Sequence, residues 1–551
     1  MTALSPAALP PARPMRARAR LAGWFGAPWR ALRAGEAALA ALDAPEAATR
    51  RRLALDLGVL GVLGAALVAL TIRSAQWRVL SDHPRAFLLT LLAQLALYGL
   101  AAGWVIRRRP HARGALALIL LVALATRLLF VPLAPSASDD LYRYVWDGRI
   151  QALGINPYRY TPNDPALAPY RDAEIYPHIN RQGVPTIYPP VAQFAFRALY
   201  RIHPDSVVWT KLALSGLDLL TVLAIAGLLL RLGLRPERAI LYAWHPLLVL
   251  EVSHSGHLDM LMILFLILAV RARVASRPWR AGFLLACAAL TKFYALIALP
   301  ALLRPERRRD LRLPLATLVT AALAYLPFLG VGSGVFGYLG GYVREEGVAS
   351  GDRFYLLQPL EGLATLARLS PPGWLPGATG ARLYTVALLA IMGVLALWCW
   401  LRPLPSPRAI TGRVLLLFTV FMTLATPTYP WYTLLVLAFI PFAGRRLLVP
   451  ATVLVGGAGL LYLQWWWPGG LRWPPHVAYG GPALALGAMA TWALVGRRGA
   501  RRRPPSPPAA RHSPRIGGVR RAGRSAASTC RAAVARAAMP VRRVLDNRHD
   551  G

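Results

Sequence analysis

The stretch GALALILLVALATRLLFVPLAPSASDDLYRYVWDGR, residues 114–149, joins an apolar run to a short acidic and aromatic segment. The run from Gly114 to Leu133 is long enough to cross hydrocarbon as one helix. Directly after it, Ser138-Asp139-Asp140-Leu141-Tyr142-Arg143-Tyr144 sets two adjacent carboxylates where such a helix would leave the bilayer. About a dozen apolar segments recur between Leu53 and Val495. Several are shorter than the roughly 17 residues of a full crossing, and these are expected to be tilted, broken or extended by their neighbours. The expected fold is an all-α polytopic integral membrane protein, a bundle of about 12 to 14 transmembrane or half-membrane helices.

Composition agrees. Of 551 residues 56% are hydrophobic and 16% charged, where soluble domains carry about a quarter charged residues. The net charge of +39 would suggest nucleic acid were it not concentrated in the termini and in short loops between apolar runs. The tendency of cytoplasmic loops to be positive explains that placement, so membrane lipids are expected partners and nucleic acid is not. Cys287, Cys399 and Cys530 lie far apart and give neither a disulfide framework nor a metal-binding spacing. There is no phosphate-binding loop, GxSxG elbow, HExxH or nucleotide fingerprint. No cofactor and no metal is expected.

Residues 1–52 are read as a basic, partly disordered cytoplasmic leader, 53–496 as the transmembrane domain, and 497–551 as a disordered cytoplasmic tail rich in Arg, Pro and Ala. With the N-terminus inside, Arg107-Arg108-Arg109, Arg231 to Arg238, Arg271 to Arg280, Arg402 to Arg413 and Arg445-Arg446 all fall in the cytoplasm. Two long loops, about 134–206 and 331–380, then lie on the periplasmic or extracellular face of the plasma (inner) membrane. One cluster, Arg304 to Arg312, resists this topology unless Ala281 to Leu303 is two half-helices that turn near Lys292. Non-helical backbone at that depth requires surrounding protein or a wet cavity.

The carboxylates of Asp139 and Asp140, flanked by Arg143 and Arg149, could accept a proton from an alcohol, or could serve a helix N-terminus. Tyr142, Trp146, Asp147, Arg149, Asn156, Tyr158 and Tyr188 mix rings with hydrogen-bonding groups, which suits a sugar or acceptor and equally suits loop packing. Of the 63 basic residues only Lys211 and Lys292 are lysine, and both fall in apolar segments. A charge there needs a partner or a water-filled cavity. Lys292 is expected at a phosphate, while Lys211 could snorkel or pair with Asp218. His254 and His257, near Asp259, could contact phosphate or a donor lipid, hold a metal, or cap a helix; the ligand count is low for a metal. Arg344-Glu345-Glu346 and Asp352-Arg353-Phe354 read as surface ion pairs or secondary contacts, and Trp465-Trp466-Trp467 as an interfacial belt or a stacking platform.

The segment Ser138 to Tyr144 with Asp147-Gly148-Arg149 and Gly154-Ile155-Asn156-Pro157-Tyr158, the run His254 to Asp259, and Leu290-Thr291-Lys292-Phe293 resemble the GT-C superfamily of polyprenyl-phosphate-sugar-dependent membrane glycosyltransferases. The likeness is to the bacterial α-mannosyltransferases of glycosyltransferase family 87. It implies a GT-C-like bundle with a long first catalytic outer loop. It also implies inverting transfer of a hexose, mannose by likeness, from a polyprenyl-phosphate sugar donor to a hydroxyl of a cell-envelope glycan or glycolipid acceptor. The base such enzymes use matches Asp139, or next Asp140. Arg143, Lys292, His257 and His254 are the candidates for the donor phosphate. Two apolar helices precede the one that feeds the aspartate loop, whereas in much of the superfamily that helix is the first. A transporter or lipid flippase, or a non-catalytic member of the fold, is the competing expectation.

Overall fold

Uncharged runs of Leu, Val, Ile and Ala become helices because a backbone in hydrocarbon must satisfy its own hydrogen bonds. The computed structural model describes residues 47–108, 113–303, 311–348, 350–357, 359 and 378–501, and among these there is no strand. The expected leader and tail lie mostly outside the described residues, as do residues 304–310 of the arginine cluster.

The chain opens with α1 (Ala47–Ala75), α2 (Pro84–Arg108) and α3 (Arg113–Phe130). The first long loop carries α4 (Asp140–Ala152) and α5 (Pro190–Ile202), and α6 (Val207–Arg231) follows. Next come α7 (Asp259–Val274), α8 (Pro278–Ala289) and α9 (Arg312–Tyr325), then α10 (Ala378–Leu401), α11 (Arg408–Ala425), α12 (Arg445–Ala458) and α13 (Pro474–Arg501). The described residues up to Leu494 belong to one compact unit.

Among the described residues 7 helical stretches are long and apolar enough to cross a membrane, and Gly114–Phe130, Phe293–Leu302 and Pro430–Phe442 are shorter apolar helices. This is a polytopic membrane protein; the described residues do not confirm the expected count of about 12 to 14, which includes half-membrane helices. Several of the apolar segments are interrupted. The apolar segment after Arg238 is divided by Pro246 into short turns and a π-helical stretch, Val249–His254, before α7 begins. Similarly α8 stops at Ala289, Lys292 lies in extended backbone (φ −148°, ψ 125°), and a 3₁₀ turn follows at Phe293–Ala298.

The bundle is cross-linked by polar groups with no access to water. Arg127 of α3 is fully buried, and its Nε donates to Asp218 Oδ2 of α6 at 2.6 Å. Its Nη1 reaches the carbonyls of Ala123 and Ala243, and Tyr242 OH donates to the second oxygen of Asp218 at 2.6 Å. Asp218 therefore does not pair with Lys211. The buried ammonium of Lys211 instead donates to the carbonyls of Phe130 (2.8 Å) and Leu133 (2.5 Å), closing the C-terminus of α3. A few residues on, Ser136 Oγ lies 2.9 Å from His254 Nε2 and accepts the Leu80 amide, so the approach to Asp139 is fixed from two sides.

Helices α4 and α5 touch at Gly148, where a Cβ would sit 2.6 Å from the Phe196 carbonyl oxygen. Only glycine allows so close an approach. Removing one partner of a buried ion pair strands the other, so Asp218→Ala is expected to cost about 3–5 kcal/mol of stability. Tyr242→Phe, which removes a single hydrogen bond, should cost about 1 kcal/mol. Thermal unfolding in detergent or lipid nanodiscs checks the ranking.

Candidate active site

Asp139 immediately precedes α4 (φ −98°, ψ 1°), yet its side chain makes no capping hydrogen bond, so the helix-cap alternative does not occupy it. Both Asp139 and Asp140 line a cavity of about 530 Å³ that reaches Arg143, Asn180, Tyr188, Lys292, Tyr342, Arg353 and Tyr432. No described residue donates to the Asp139 carboxylate. Asp140 is held: its Oδ1 accepts from Asn180 Nδ2 at 2.8 Å, and its Oδ2 faces His257 Nδ1 at 3.8 Å. Burial, and after it the Asp140 charge, raises Asp139 above the usual carboxylate range, with His178 opposing.

The two flanking arginines are not ion partners of Asp139. Arg143 Nε donates to Asp147 Oδ1 at 2.8 Å, and Arg149 is paired with Asp172 and Asp205. Asp147 is buried, and its other oxygen receives Thr186 Oγ1 (2.6 Å) and Gln193 Nε2 (2.9 Å). With Arg143 also donating to the Val184 carbonyl, the guanidinium is fixed on the cavity wall by a saturated network.

The cavity therefore gathers Asp139, Asp140, Arg143, Lys292 and Tyr188 from the expected set and leaves the others in the packing around it. Tyr142 stacks on His178, with ring centroids 4.8 Å apart, and Trp146 is buried against Tyr176. Asn156 donates to the Phe328 carbonyl and Tyr158 OH to the Tyr188 carbonyl. Asp147, Arg149 and Tyr158 thus spend their polar groups within the loop, and Asn156 ties it to the segment after α9. His254 and His257 are fully buried and do not line the cavity, which removes the direct phosphate contact expected of them. Lys292 lies at the cavity, as the broken helix required. Its Nζ donates to Asp259 Oδ2 at 2.6 Å, Tyr294 OH donates to the other Asp259 oxygen at 2.7 Å, and the ammonium sits 5.6 Å from the Tyr432 ring centre.

A family model described as the N-terminal domain of alpha-(1->6)-mannopyranosyltransferases matches residues 53–304, and that of glycosyltransferase family 87 matches residues 186–427. The chain is a glycosyltransferase, similar to family 87 and to the alpha-(1->6)-mannopyranosyltransferases. Between them the two matches run from the first described crossing to the Pro427 wall of the cavity. No curated protein and no solved structure matches it.

In this glycosyltransferase Arg181, Tyr342, Tyr429, Trp431 and Tyr432 are cavity residues that escaped the sequence reading, whereas Arg353 reads there as a surface ion pair or a secondary contact. Arg353 belongs to the wall, where it pairs with Glu346 at 3.3 Å, and Arg181 pairs with Glu345 at 2.7 Å. Their local pattern is that of any surface ion pair. Tyr429 stacks on Trp431 with centroids 4.3 Å apart, and Tyr342 and Tyr432 join hydroxyls at 2.5 Å. Only chain folding brings these rings opposite Asp139.

The buried network predicts a contrast. Asp147→Asn leaves the Arg143 charge without its counter-ion and is expected to cost about 3 kcal/mol. Asp205→Asn, at a pair whose carboxylate side chain is 44% exposed, should cost at most about 1 kcal/mol. Parallel unfolding of the two variants checks the difference.

Proposed function

We propose that this glycosyltransferase moves a mannosyl residue from a polyprenyl-phosphate donor to a hydroxyl of a cell-envelope glycan or glycolipid, with inversion, on the outer face of the plasma membrane. The observation that carries the reading is the uncommitted carboxylate of Asp139 on a 530 Å³ cavity that also holds the cations of Arg143 and Lys292. Asp139 removes the proton of the acceptor hydroxyl as that oxygen attacks the anomeric carbon. The bond from that carbon to the phosphate oxygen breaks, and Arg143 and Lys292 stabilise the charge that gathers on the departing lipid phosphate. Tyr188 and the Tyr429–Trp431 pair offer ring surface for the sugars. The mannose and the lipid donor are supported by the family likeness, and the cytoplasmic termini by the arginine distribution.

The test is transfer of radiolabelled mannose from polyprenyl-phosphate mannose in membranes holding wild type, Asp139→Asn or Asp140→Asn at matched expression. Asp139→Asn is expected to lose at least about 100-fold. Retention of wild-type transfer in that variant would remove the assignment. Lys292→Met should lose transfer and, because it strands the buried Asp259 carboxylate, lower the thermal midpoint as well.

The pH dependence follows from the same geometry. The ionised form of Asp139 is the active one, so transfer falls as pH drops through its pKa. Burial and Asp140 raise that pKa, so the acid limb lies above the ordinary aspartate value of about 3.9. Asp140→Asn removes the neighbouring charge and should move the limb to lower pH, as a pH–rate profile of that variant would show.

A further inference from the structure

Behind the cavity wall stands a group of titratable side chains that the proposed reaction does not use. His257 is fully buried, its ring stacked on Trp431 with centroids 4.0 Å apart. On one side its Nδ1 faces Asp140 Oδ2 at 3.8 Å, and on the other its Nε2 faces Glu251 Oε2 at 3.4 Å. Neither ring nitrogen, nor Glu251 Oε2, has a hydrogen-bond partner among the described residues. Glu251 is itself fully buried, and its Oε1 accepts only from Tyr462 OH at 2.8 Å. The other charged groups near the ring, Asp259 and Lys292, are bound to each other. An imidazole placed between two carboxylates, with the other nearby charges bound to each other, is satisfied most directly by those carboxylates.

Burial holds His257 neutral, its pKa lowered to about 3, with the Lys292 charge adding to burial and Asp259 opposing it. A neutral imidazole has one N–H and one lone pair. Of two carboxylates facing it, one must therefore donate a proton and the other accept one. Asp140 borders the cavity and also takes the Asn180 amide, so its charge is solvated, whereas an anion at Glu251 would have only a tyrosine hydroxyl.

We infer that Glu251 and His257 are positioning residues for the glycosyl transfer: the Glu251 carboxyl donates its proton to His257 Nε2, and His257 Nδ1–H donates to Asp140. Asp140 is thereby kept as an anion beside Asp139 and strengthens the proton affinity of the free carboxylate. The effect on transfer rests on the reading of Asp139 as the base, but the arrangement of the proton does not.

The closing experiment therefore reads the proton directly. The full-length protein in lipid nanodiscs, with its 10 histidines labelled with nitrogen-15, is compared by NMR with His257→Gln, which removes and so assigns one signal pair. The expected state at neutral pH is a neutral ring protonated at Nδ1, with Nε2 accepting a hydrogen bond. Glu251→Gln, whose amide still donates, retains that signature. Glu251→Leu loses it, and its Nε2 resonance moves. A proton on Nε2, an imidazolium, or an unmoved Nε2 signal in Glu251→Leu overturns the inference. None of these outcomes needs a substrate, so absence of mannosyl transfer would count against the proposed function alone. Where transfer is measured, Glu251→Leu shifts the acid limb downward by about half a pH unit or more, and adds nothing to Asp140→Asn in the double variant. An additive double variant counts against the coupling.

Discussion

Everything about the active-site side of this glycosyltransferase hangs on the pairing of Arg127 with Asp218 inside the bundle. Neither group can exist as an isolated ion in hydrocarbon, so α3 and α6 are confined to the one arrangement in which the guanidinium, the carboxylate, the Tyr242 hydroxyl and two backbone carbonyls meet. The end of α3 is thereby fixed in rotation as well as depth. Lys211 then ties off the last carbonyls of α3, and Asp139 emerges a few residues later. The position of the free carboxylate is set by a polar contact well away from the cavity.

The same economy governs the loop that follows. Asp147 sits one helical turn beyond Arg143, so the two meet on one face of α4, and Thr186 and Gln193 saturate the remaining oxygen. The close contact of α4 with α5 at Gly148 brings Gln193 into that network. A rigid loop of this kind can present Arg143 and Asp139 in fixed relation to Lys292, which arrives from a different part of the chain on the broken segment after α8.

Much of this was legible in the sequence because hydrocarbon is an exacting solvent. Apolar runs had to be helices, and a nearly lysine-free chain that keeps Lys292 in such a run had to break or wet its surroundings there. The adjacent carboxylates after α3 stood out for a similar reason, being acidic residues in a chain with few of them. What the sequence withheld was which polar groups would be turned inward. His257 read as a ligand contact because spacing along the chain cannot distinguish a side chain at a wall from one behind it. Asp147, Asn156 and Tyr158 carry the chemistry of a sugar site, yet their hydrogen bonds are consumed by Gln193, Phe328 and Tyr188. The aromatic wall from Tyr342, Tyr429, Trp431 and Tyr432 depends on distant segments meeting. Where an apolar run would break was also withheld: Pro246 turns one into a series of short turns.

The cations around the cavity share a property with consequences for turnover. Arg143, Lys292, Arg181 and Arg353 each already hold a carboxylate of the protein itself, respectively Asp147, Asp259, Glu345 and Glu346. On the proposed reading, a lipid phosphate entering this space would share those cations with their resident anions. Its grip would be correspondingly moderate, and once the sugar had left, the carboxylates would compete with the spent carrier for the same positive charges. On that reading, release of the lipid is favoured by carboxylates that the protein itself supplies.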